Sequence, residues 1–450
     1  MTIVLDWLLI IISALCCIKA LYSIIENKNS SIANYVLLIE FLICCVPILC
    51  NYLIGYPEYN TIYWYRVFKS SMQNEIVAIL YDIYILACII LLRVYAVHYD
   101  QKKSMYINKV HSFASSLLQN KILLFLSICS PFLYLVLGGN ISSFLIYGVR
   151  TTRYAEDNHI TRIMSMLILL SIYAFFFYYF STKEKKIKNI ILPLYIIVIC
   201  WLQGKRFILI VIGLVYFYYY TRQGLSVRQK KKIWIKIPII AFIIIGFCCL
   251  YLVYIRPMSN TSFVSVYDML RVDIGRDDVI KYVIEQIIIN NEEIVPYTGS
   301  TFLSLIFFFI PRALWSTKPY PHYVYLTSSV LNVSIMDIPA GTTPSWFEMC
   351  IANFGFFGFL IGIISIPIIC MLIDKLNDLS YQLIALVIVS VLLTQNIDAY
   401  TMFVLVFLIQ FIVRKIIKKK KLILMYGGKK ILQLENIIVH NDFKINKGKE

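Results

Sequence analysis

The sequence predicts an all-α, polytopic integral membrane protein with about eleven transmembrane helices, in a range of about 10 to 12, and one large outward-facing loop. Of its 450 residues, 60% are hydrophobic and only 15% are charged, and the mean hydropathy is +0.76. A soluble domain is nearer half apolar and a quarter charged. Apolar runs of about 18 to 25 residues recur along the whole chain, and this length crosses about 30 Å of hydrocarbon.

The predicted spans divide the chain into four parts. They lie at approximately 2–25, 32–54, 74–97, 121–138, 162–182, 190–203, 206–220, 237–255, 347–373, 380–395 and 399–413. An N-terminal bundle of about eight spans over 1–255 is followed by a large extracytoplasmic loop with short helices over 256–346. The C-terminal spans occupy 347–413, and a basic cytoplasmic tail occupies 414–450. Within the loop, the charges between Asp268 and Gln286 predict an amphipathic helix with a solvated face.

Lysine predicts the orientation of the chain, because basic residues favour the cytoplasmic side. It clusters in one set of connections, at Lys28, Lys102, Lys103, Lys109, Lys121, Lys183, Lys185, Lys186, Lys188, Lys230, Lys231, Lys232, Lys236 and Lys375, and in the tail. We therefore place these connections and the C-terminus in the cytoplasm, so that the long loop faces outward. The net charge of +17 then indicates loops that face anionic lipid and not a nucleic-acid partner.

Arginine dominates the opposite side of the membrane. The outer set is Arg66, Arg150, Arg153, Arg162, Arg206, Arg256, Arg271, Arg276 and Arg312. A guanidinium can grip phosphate or carboxylate through two donors at once, whereas lysine is a point charge. The pattern favours an anionic ligand on the outer face. The alternative is that these arginines pair with acids of the same loops, namely Glu156, Asp157, Asp268, Asp273, Asp277 and Asp278, and the sequence leaves both interpretations open.

One short segment combines an aromatic ring with two cations. Arg312 and Lys318 bracket Trp315. An indole stacks on the apolar face of a sugar, and two cations beside it suit a diphosphate. The alternative is an interfacial turn in which the tryptophan is a membrane anchor and the cations face lipid.

Two residues are candidate general bases. Glu348 lies at the mouth of the predicted span 347–373, where burial raises a carboxyl pKa toward the range of a base; the alternative is a structural ion pair with an arginine. His322 is the second candidate, with a polar loop residue as its alternative. Gly355, Gly358 and Gly362 match a small-residue pattern that predicts helix packing.

Further arginines are candidates for binding the diphosphate. Arg206 follows Gly204 and Lys205 in a tight outer hairpin, and Arg256 directly follows a span, where snorkelling to the interface is the alternative. Arg150 and Arg153 form an outer pair with aromatic neighbours.

We expect no metal ion and no cofactor. None of the twelve cysteines forms a CxxC pair or a Cys/His cluster with zinc spacing. The sequence also contains no Ser-His-Asp arrangement and no glycine-rich phosphate loop.

Three motifs follow one another over residues 310–362. They are Pro311-Arg312 with Trp315 and Lys318-Pro319, then Gly341-Thr342 with Ser345 and Glu348, then Asn353-Phe354-Gly355 with Gly358. In this order they resemble the oligosaccharide repeat-unit polymerase family, also called O-antigen polymerases of the Wzy type. Outside this stretch the agreement is limited to the number of spans, one large outer loop and basic inner loops.

The resemblance implies a metal-independent glycosyltransferase that joins undecaprenyl-diphosphate-linked oligosaccharide repeat units at the outer face of the bacterial inner membrane. In that scheme Arg206, Arg256 and Arg312, then Arg276 and Lys318, stabilise the departing diphosphate, and Glu348 or His322 takes the proton of the acceptor hydroxyl. Membrane lipid and a chain-length regulator protein are the further expected partners. An O-antigen ligase and a flippase of the same lipid-linked unit remain alternatives.

Overall fold

A computed structural model describes residues 2–60, 62–104, 121–137, 158–181, 185–203, 207–222, 224–250, 263–307, 310, 312–338, 341–376 and 379–395. Every regular element in these ranges is helical, so the all-α fold class is confirmed. The helices are α1 (Thr2–Glu26), α2 (Ile32–Glu40), α3 (Val46–Leu53), α4 (Phe68–Gln73), α5 (Glu75–Ser104), α6 (Lys121–Leu137), α7 (Asn158–Ser181), α8 (Lys185–Gln203), α9 (Phe207–Arg222), α10 (Val227–Leu250), α11 (Phe263–Ile274), α12 (Asp277–Ile284), α13 (Ser300–Ile306), α14 (His322–Leu331), α15 (Trp346–Phe354), α16 (Phe356–Asp374) and α17 (Leu379–Thr394). Single turns of π or 3-10 helix occur at Phe41–Cys45, Tyr63–Val67, Glu285–Ile289 and Ile335–Asp337.

Several helices have the length and composition of membrane spans. Within the described ranges, Thr2–Glu26, Ile32–Leu53, Glu75–Gln101 and Phe356–Asp374 are long and apolar enough to cross a bilayer. Shorter apolar helices at Ile122–Leu137, Met166–Tyr179, Ile191–Leu202, Ile208–Arg222 and Tyr381–Thr394 coincide with other predicted spans. The multi-pass architecture is therefore confirmed, whereas the total of about eleven spans stays a prediction.

The long helices present apolar side chains outward. Trp7, Ile11 and Ile18 are exposed on α1, and Phe356 and Leu360 are exposed on α16. A continuous apolar surface of this kind is unfavourable in water but matches the hydrocarbon of a bilayer. These faces agree with helices that meet lipid on one side and each other on the other.

Buried polar contacts around Asp374 tie one end of the bundle together; we refer to it as the Asp374 end. Asp374 is the last residue of α16. Its carboxylate accepts hydrogen bonds from Ser31 Oγ at 2.5 Å, Ile32 N at 2.9 Å and Tyr95 Oη at 2.9 Å. The start of α2, the last third of α5 and the end of α16 are joined there through one buried carboxylate.

The predicted cytoplasmic connections meet at this same end. Arg222, the last residue of α9, donates to the carbonyls of Lys28 at 2.9 Å and Ser30 at 2.7 Å. Lys230, in the first turns of α10, pairs with Glu26 at 2.5 Å. Connections that are far apart in sequence and that the lysine pattern assigns to one side therefore lie together in the structure.

The predicted solvated helix from Asp268 to Gln286 is wrong, because most of this stretch is buried. It forms α11 and α12, which are separated at Gly275 and Arg276. Every residue of α12 is buried, since the helix packs against α4, α5 and α15. The buried charges of the two helices are Asp268, Arg271, Arg276, Asp277, Asp278 and Lys281.

The predicted continuous span 347–373 is also corrected, because it consists of two helices that meet at Gly355. This glycine has φ 56° and ψ −133°, a backbone conformation that is essentially restricted to glycine. A side chain at Gly358 would collide with the backbone of Cys350, so the start of α16 folds back against α15. A side chain at Gly362 would collide with Tyr84. The packing role is confirmed for Gly358 and Gly362, whereas Gly355 makes the turn.

Candidate substrate site

The Arg312 guanidinium lies over the ring of Tyr320, within a loop of residues 312–320 that we call the Arg312 segment. The guanidinium carbon is 3.6 Å from the ring centroid. A cation in this position is stabilised by the electrons of the ring. The side chain is half-buried, and in the described part of the chain no hydrogen bond or ion pair occupies its donors. The stack holds the plane of the guanidinium and leaves its fork of donors open to an anion.

Trp315 and Lys318 lie in the same loop, as the sequence predicts. The Trp315 ring packs edge-on against Phe307, with centroids 6.0 Å apart. Lys318 Nζ donates to the carbonyl of Ile310 at 2.9 Å. The structure therefore brings Arg312, Trp315 and Lys318 together, although Lys318 already has a partner inside the protein.

His322 is the first residue of α14 and is only 2% exposed. Neither ring nitrogen has a hydrogen-bond partner within the described ranges. Burial lowers the pKa of the imidazole to about 3, so the ring is neutral at neutral pH. A buried polar group without a partner is costly and uncommon. The neutral ring is suited to a hydrogen bond with a ligand hydroxyl more than to holding a proton.

Glu348 is fully buried and stabilises the start of α15. Both carboxylate oxygens accept hydrogen bonds from Ser345, one from its backbone N–H and one from its hydroxyl. Ser345 and Glu348 form a capping box, which satisfies donors that a helix start leaves open. Burial raises the pKa of the Glu348 carboxyl to about 7, and the hydrogen bonds from Ser345 offset only part of that rise. A pKa near 7 fits a general base, but the carboxylate is already engaged.

The Arg276 guanidinium is engaged by the carboxyl ends of two helices. Its Nε and Nη2 donate to the carbonyl of Thr394 at 3.2 and 2.6 Å, and its Nη1 donates to the carbonyl of Val272 at 3.1 Å. A helix end carries partial negative charge on its open carbonyls, so a cation stabilises it. Carbonyls of Asp273 and Gly275 take the remaining donors. Arg276 thus links α11 to α17, and it has no donor left for the predicted diphosphate.

Arg271 pairs with an acid of its own loop, which is the alternative interpretation of the outer arginines; it is confirmed for this one arginine. It binds Asp277 through two hydrogen bonds of 3.1 and 2.9 Å, and both side chains are buried. The neighbouring Asp278 accepts a hydrogen bond from Tyr59 Oη at 2.7 Å. Burial and the charge of Asp277 raise the pKa of Asp278. This arginine pairs with an acid of its own loop and is not available to a ligand.

Asp268 and Lys281, two further charges of α11 and α12, also have partners within the protein. Asp268 accepts hydrogen bonds from the backbone N–H groups of Glu58 at 2.9 Å and Asn60 at 3.0 Å. Lys281 Nζ lies 4.9 Å from the centroid of the Tyr81 ring, within the range of a cation–π contact. These helices form a rigid, charged support and not an exposed binding surface.

Some predicted residues cannot be placed, and the roles of two contributing residues were not predicted from the sequence. Arg150, Arg153, Arg206 and Arg256 lie outside the described residues. Ser345 carries a clear signal that was overlooked, because Ser-x-x-Glu before an apolar run predicts a capping box. Tyr320 has no such signal, because only the folded loop shows that its ring supports Arg312. In the described part of the chain, no group of three His, Cys, Asp or Glu side chains is arranged to hold a metal ion.

The sequence model of a known family matches the N-terminal part of the chain. The family is O-antigen polysaccharide polymerase Wzy, and the match covers residues 1–275, which is more than half of the 450 residues. The chain belongs to this family. No curated protein and no solved structure matches it.

The family match and the sequence motifs fall in different parts of the chain. The match extends over α1 to α11, whereas the resemblance rests on residues 310–362. Family membership makes the chain a membrane protein of polysaccharide biosynthesis, with O-antigen polymerase-type activity on lipid-linked oligosaccharide. The roles of Arg312, Trp315 and Glu348 are not covered by the match and remain predictions.

Proposed function

We propose that the protein joins undecaprenyl-diphosphate-linked oligosaccharide repeat units into surface polysaccharide at the outer face of the bacterial inner membrane. Family membership supports polymerisation in general. The observation that carries the specific proposal is the Arg312 guanidinium, which is stacked at 3.6 Å on Tyr320 with open donors. A planar fork that is held in place in this way suits a diphosphate oxygen pair.

The proposed reaction transfers one glycan from its lipid carrier to a second lipid-linked glycan. The bond between the anomeric carbon of the donor and its diphosphate breaks, and the electron pair leaves with the diphosphate oxygen. A hydroxyl oxygen of the acceptor's non-reducing-end sugar forms the new glycosidic bond, and its proton passes to a base. Arg312 stabilises the charge that develops on the diphosphate, so the scheme requires no metal ion.

Neighbouring groups complete the proposed site. The Trp315 indole stacks on a donor sugar, and Lys318 adds a positive charge. Glu348 is the first candidate for the base because of its pKa of about 7, and contact with an acceptor requires its bond to Ser345 to open. His322, whose pKa of about 3 prevents it from holding a proton at neutral pH, accepts a hydrogen bond from the acceptor hydroxyl in this scheme. The further arginines proposed for the diphosphate are Arg206, Arg256, Arg150 and Arg153.

The proposal includes a topology with about eleven spans. The lysine-rich connections and the C-terminal tail lie in the cytoplasm, and the 256–346 segment lies on the periplasmic side. The grouping of Lys28, Arg222 and Lys230 at one end of the bundle supports this arrangement. A chain-length regulator protein is the proposed partner on the outer side.

The test is a surface-glycan gel from a strain that lacks the gene, with and without the intact gene restored. We expect the deletion strain to show lipid-linked core with a single repeat unit and no long ladder, and the restored gene to return the ladder. Complete loss of attached repeats would instead indicate a ligase or a flippase. An unchanged ladder would contradict a polymerase role in that polysaccharide.

A further inference from the structure

A groove on the surface of the bundle joins two cations that the sequence places within membrane spans. It has a volume of about 430 Å³ and lies between α1, α5 and α10. Lys19 from α1 and Arg93 from α5 both line it, together with Trp234 from α10. Charges inside membrane spans are costly and rare, so two of them in one groove call for an explanation.

The positive charge of the groove is not neutralised within the described ranges. Neither Lys19 nor Arg93 has a carboxylate partner there, and Arg93 makes one hydrogen bond, from Nη1 to Asn34 Oδ1 at 2.9 Å. One acid, Glu26, also lines the groove, but it is paired with Lys230 at 2.5 Å. The groove therefore presents two cations that have no direct carboxylate partner among the described residues.

From the groove, a lysine side chain can extend to the lipid headgroups. Lys19 precedes the end of α1 at Glu26 by about two helical turns, or about 10 Å. Ile18 and Tyr22 beside it are 56% and 59% exposed on the lipid-facing side of α1, and Trp234 is 39% exposed. Tyrosine and tryptophan are enriched where hydrocarbon gives way to headgroups. Cations at this level face phosphate and not acyl chains.

We propose that this groove binds the phosphate headgroup of an anionic phospholipid from the cytoplasmic leaflet. Lys19 and Arg93 contact the phosphate, and the rings of Trp234 and Tyr22 pack against the glycerol and the upper acyl chain. Basic pockets between transmembrane helices on the cytoplasmic side are suited to such headgroups. The lipid links α1, α5 and α10 near the Asp374 end. The inference does not depend on the function proposed for the Arg312 segment.

The test compares lipid retention by the purified full-length protein. The protein is exchanged into mixed micelles with equal amounts of phosphatidylglycerol and phosphatidylcholine, and bound lipid is counted by native mass spectrometry. We expect preferential retention of phosphatidylglycerol by the wild type and an about fivefold weaker preference in Lys19→Gln. Arg93→Gln should act in the same direction, although it also removes the bond to Asn34. Lys375→Gln is the matched control, because this exposed lysine of the Asp374 end does not line the groove.

Three results would overturn the inference. The first is equal retention of the two lipids by the wild type. The second is a phosphatidylglycerol preference that survives Lys19→Gln, or that falls equally in Lys375→Gln. The third is a polyprenyl-diphosphate glycan that remains bound at the groove in place of phospholipid and is lost in Lys19→Gln. The glycan gel of the deletion strain is independent of all three.

Discussion

The two ends of the helical bundle differ in how their polar side chains are satisfied. At the Asp374 end, the carboxylate of Asp374 accepts three hydrogen bonds, and Arg222 donates to two carbonyls. Near the other end of α16, Arg312 has open donors and neither nitrogen of His322 has a partner within the described residues. Buried polar groups are nearly always paired. The difference indicates that Asp374 stabilises the first end, whereas Arg312 and His322 are available to a ligand at the second.

Paired and unpaired polar groups also occur side by side on the Arg312 side of the molecule. The charges of α11 and α12 are held by partners within the protein, as the pair of Arg271 and Asp277 shows. Residues that support the site are therefore satisfied before any ligand arrives. Arg312 and His322, by contrast, keep polar atoms without a protein partner in the described structure. A preorganised site needs such a rigid support.

The largest expected effect is on stability, from Asp374→Asn. The substitution removes a buried charge that three donors share, and we expect it to lower the free energy of unfolding by about 3 kcal/mol. Thermal unfolding in detergent, followed by tryptophan fluorescence, measures the change. Asp337→Asn is the control, since Asp337 is exposed and should change nothing. Equal melting temperatures for wild type and Asp374→Asn would show that this end is not the stability centre.

The next largest effect is on the pH dependence of stability, from Glu348→Gln. Its folded-state pKa of about 7 lies above the ordinary value of 4.5, so the folded protein binds this proton more tightly than the unfolded chain. The stability from this group is fully present below the ordinary pKa and is lost as the pH rises through about 7. We expect Glu348→Gln to reduce the difference between the melting temperatures at pH 5 and pH 8.

The control for that experiment is Glu58→Gln, which removes an exposed carboxylate that pairs with Lys69. The difference between the melting temperatures of Glu58→Gln at pH 5 and pH 8 should equal that of the wild type. An unchanged pH dependence in Glu348→Gln would contradict the raised pKa. If Glu348 is also the base, the glycan ladder disappears in Glu348→Gln at every pH.

A smaller effect is expected at His322, where the substitution should not destabilise the protein. Because both ring nitrogens lack partners in the described structure, His322→Leu should leave stability unchanged or raise it by about 1 kcal/mol. The ladder should shorten, since a ligand contact is lost. His98→Leu, at an exposed histidine near the Asp374 end, should leave the ladder unchanged. A destabilisation of more than about 2 kcal/mol by His322→Leu would reveal a structural role.

The smallest effect is expected at Lys318. Its Nζ already donates to the carbonyl of Ile310, and an ammonium lacks the two-donor fork of an arginine. We expect Lys318→Gln to reduce polymerisation by about threefold, as for a partly screened charge. Lys69→Gln, which removes a half-buried lysine that pairs with Glu58 on the predicted outer side, should have no effect. A loss of polymerisation as large as that of Arg312→Ala would show that Lys318 contributes as much as Arg312 to diphosphate binding.

The sequence predicts those parts of the fold that depend on local pattern. Long apolar runs predict α1, α5 and α16, since length and hydropathy are sufficient for a span. The burial of α11 and α12 could not be predicted in this way. Their charges resemble a solvated face until the partners are known, and Tyr59, which binds Asp278, lies far away in the sequence.

In the candidate site, too, the features that depend on local sequence could be predicted, and those that depend on distant partners could not. Arg312, Trp315 and Lys318 are close in sequence, so their shared loop was predictable. The engagement of Arg276 by Thr394 was not, because the two residues are far apart in the chain. The break at Gly355 was also missed, since the apolar pattern runs through it without interruption and only its positive φ reveals the turn.

The most direct test of the account is the substitution Arg312→Lys, expressed in the deletion strain beside Arg312→Ala. If the guanidinium fork binds the diphosphate, lysine should fail nearly as badly as alanine. We predict that both reduce the long glycan ladder by about 100-fold, with unchanged melting temperature and membrane level. Arg66→Lys serves as the control, because this exposed arginine hydrogen-bonds only Asn60, at 3.4 Å, among the described residues. A wild-type ladder from Arg312→Lys would contradict the central claim.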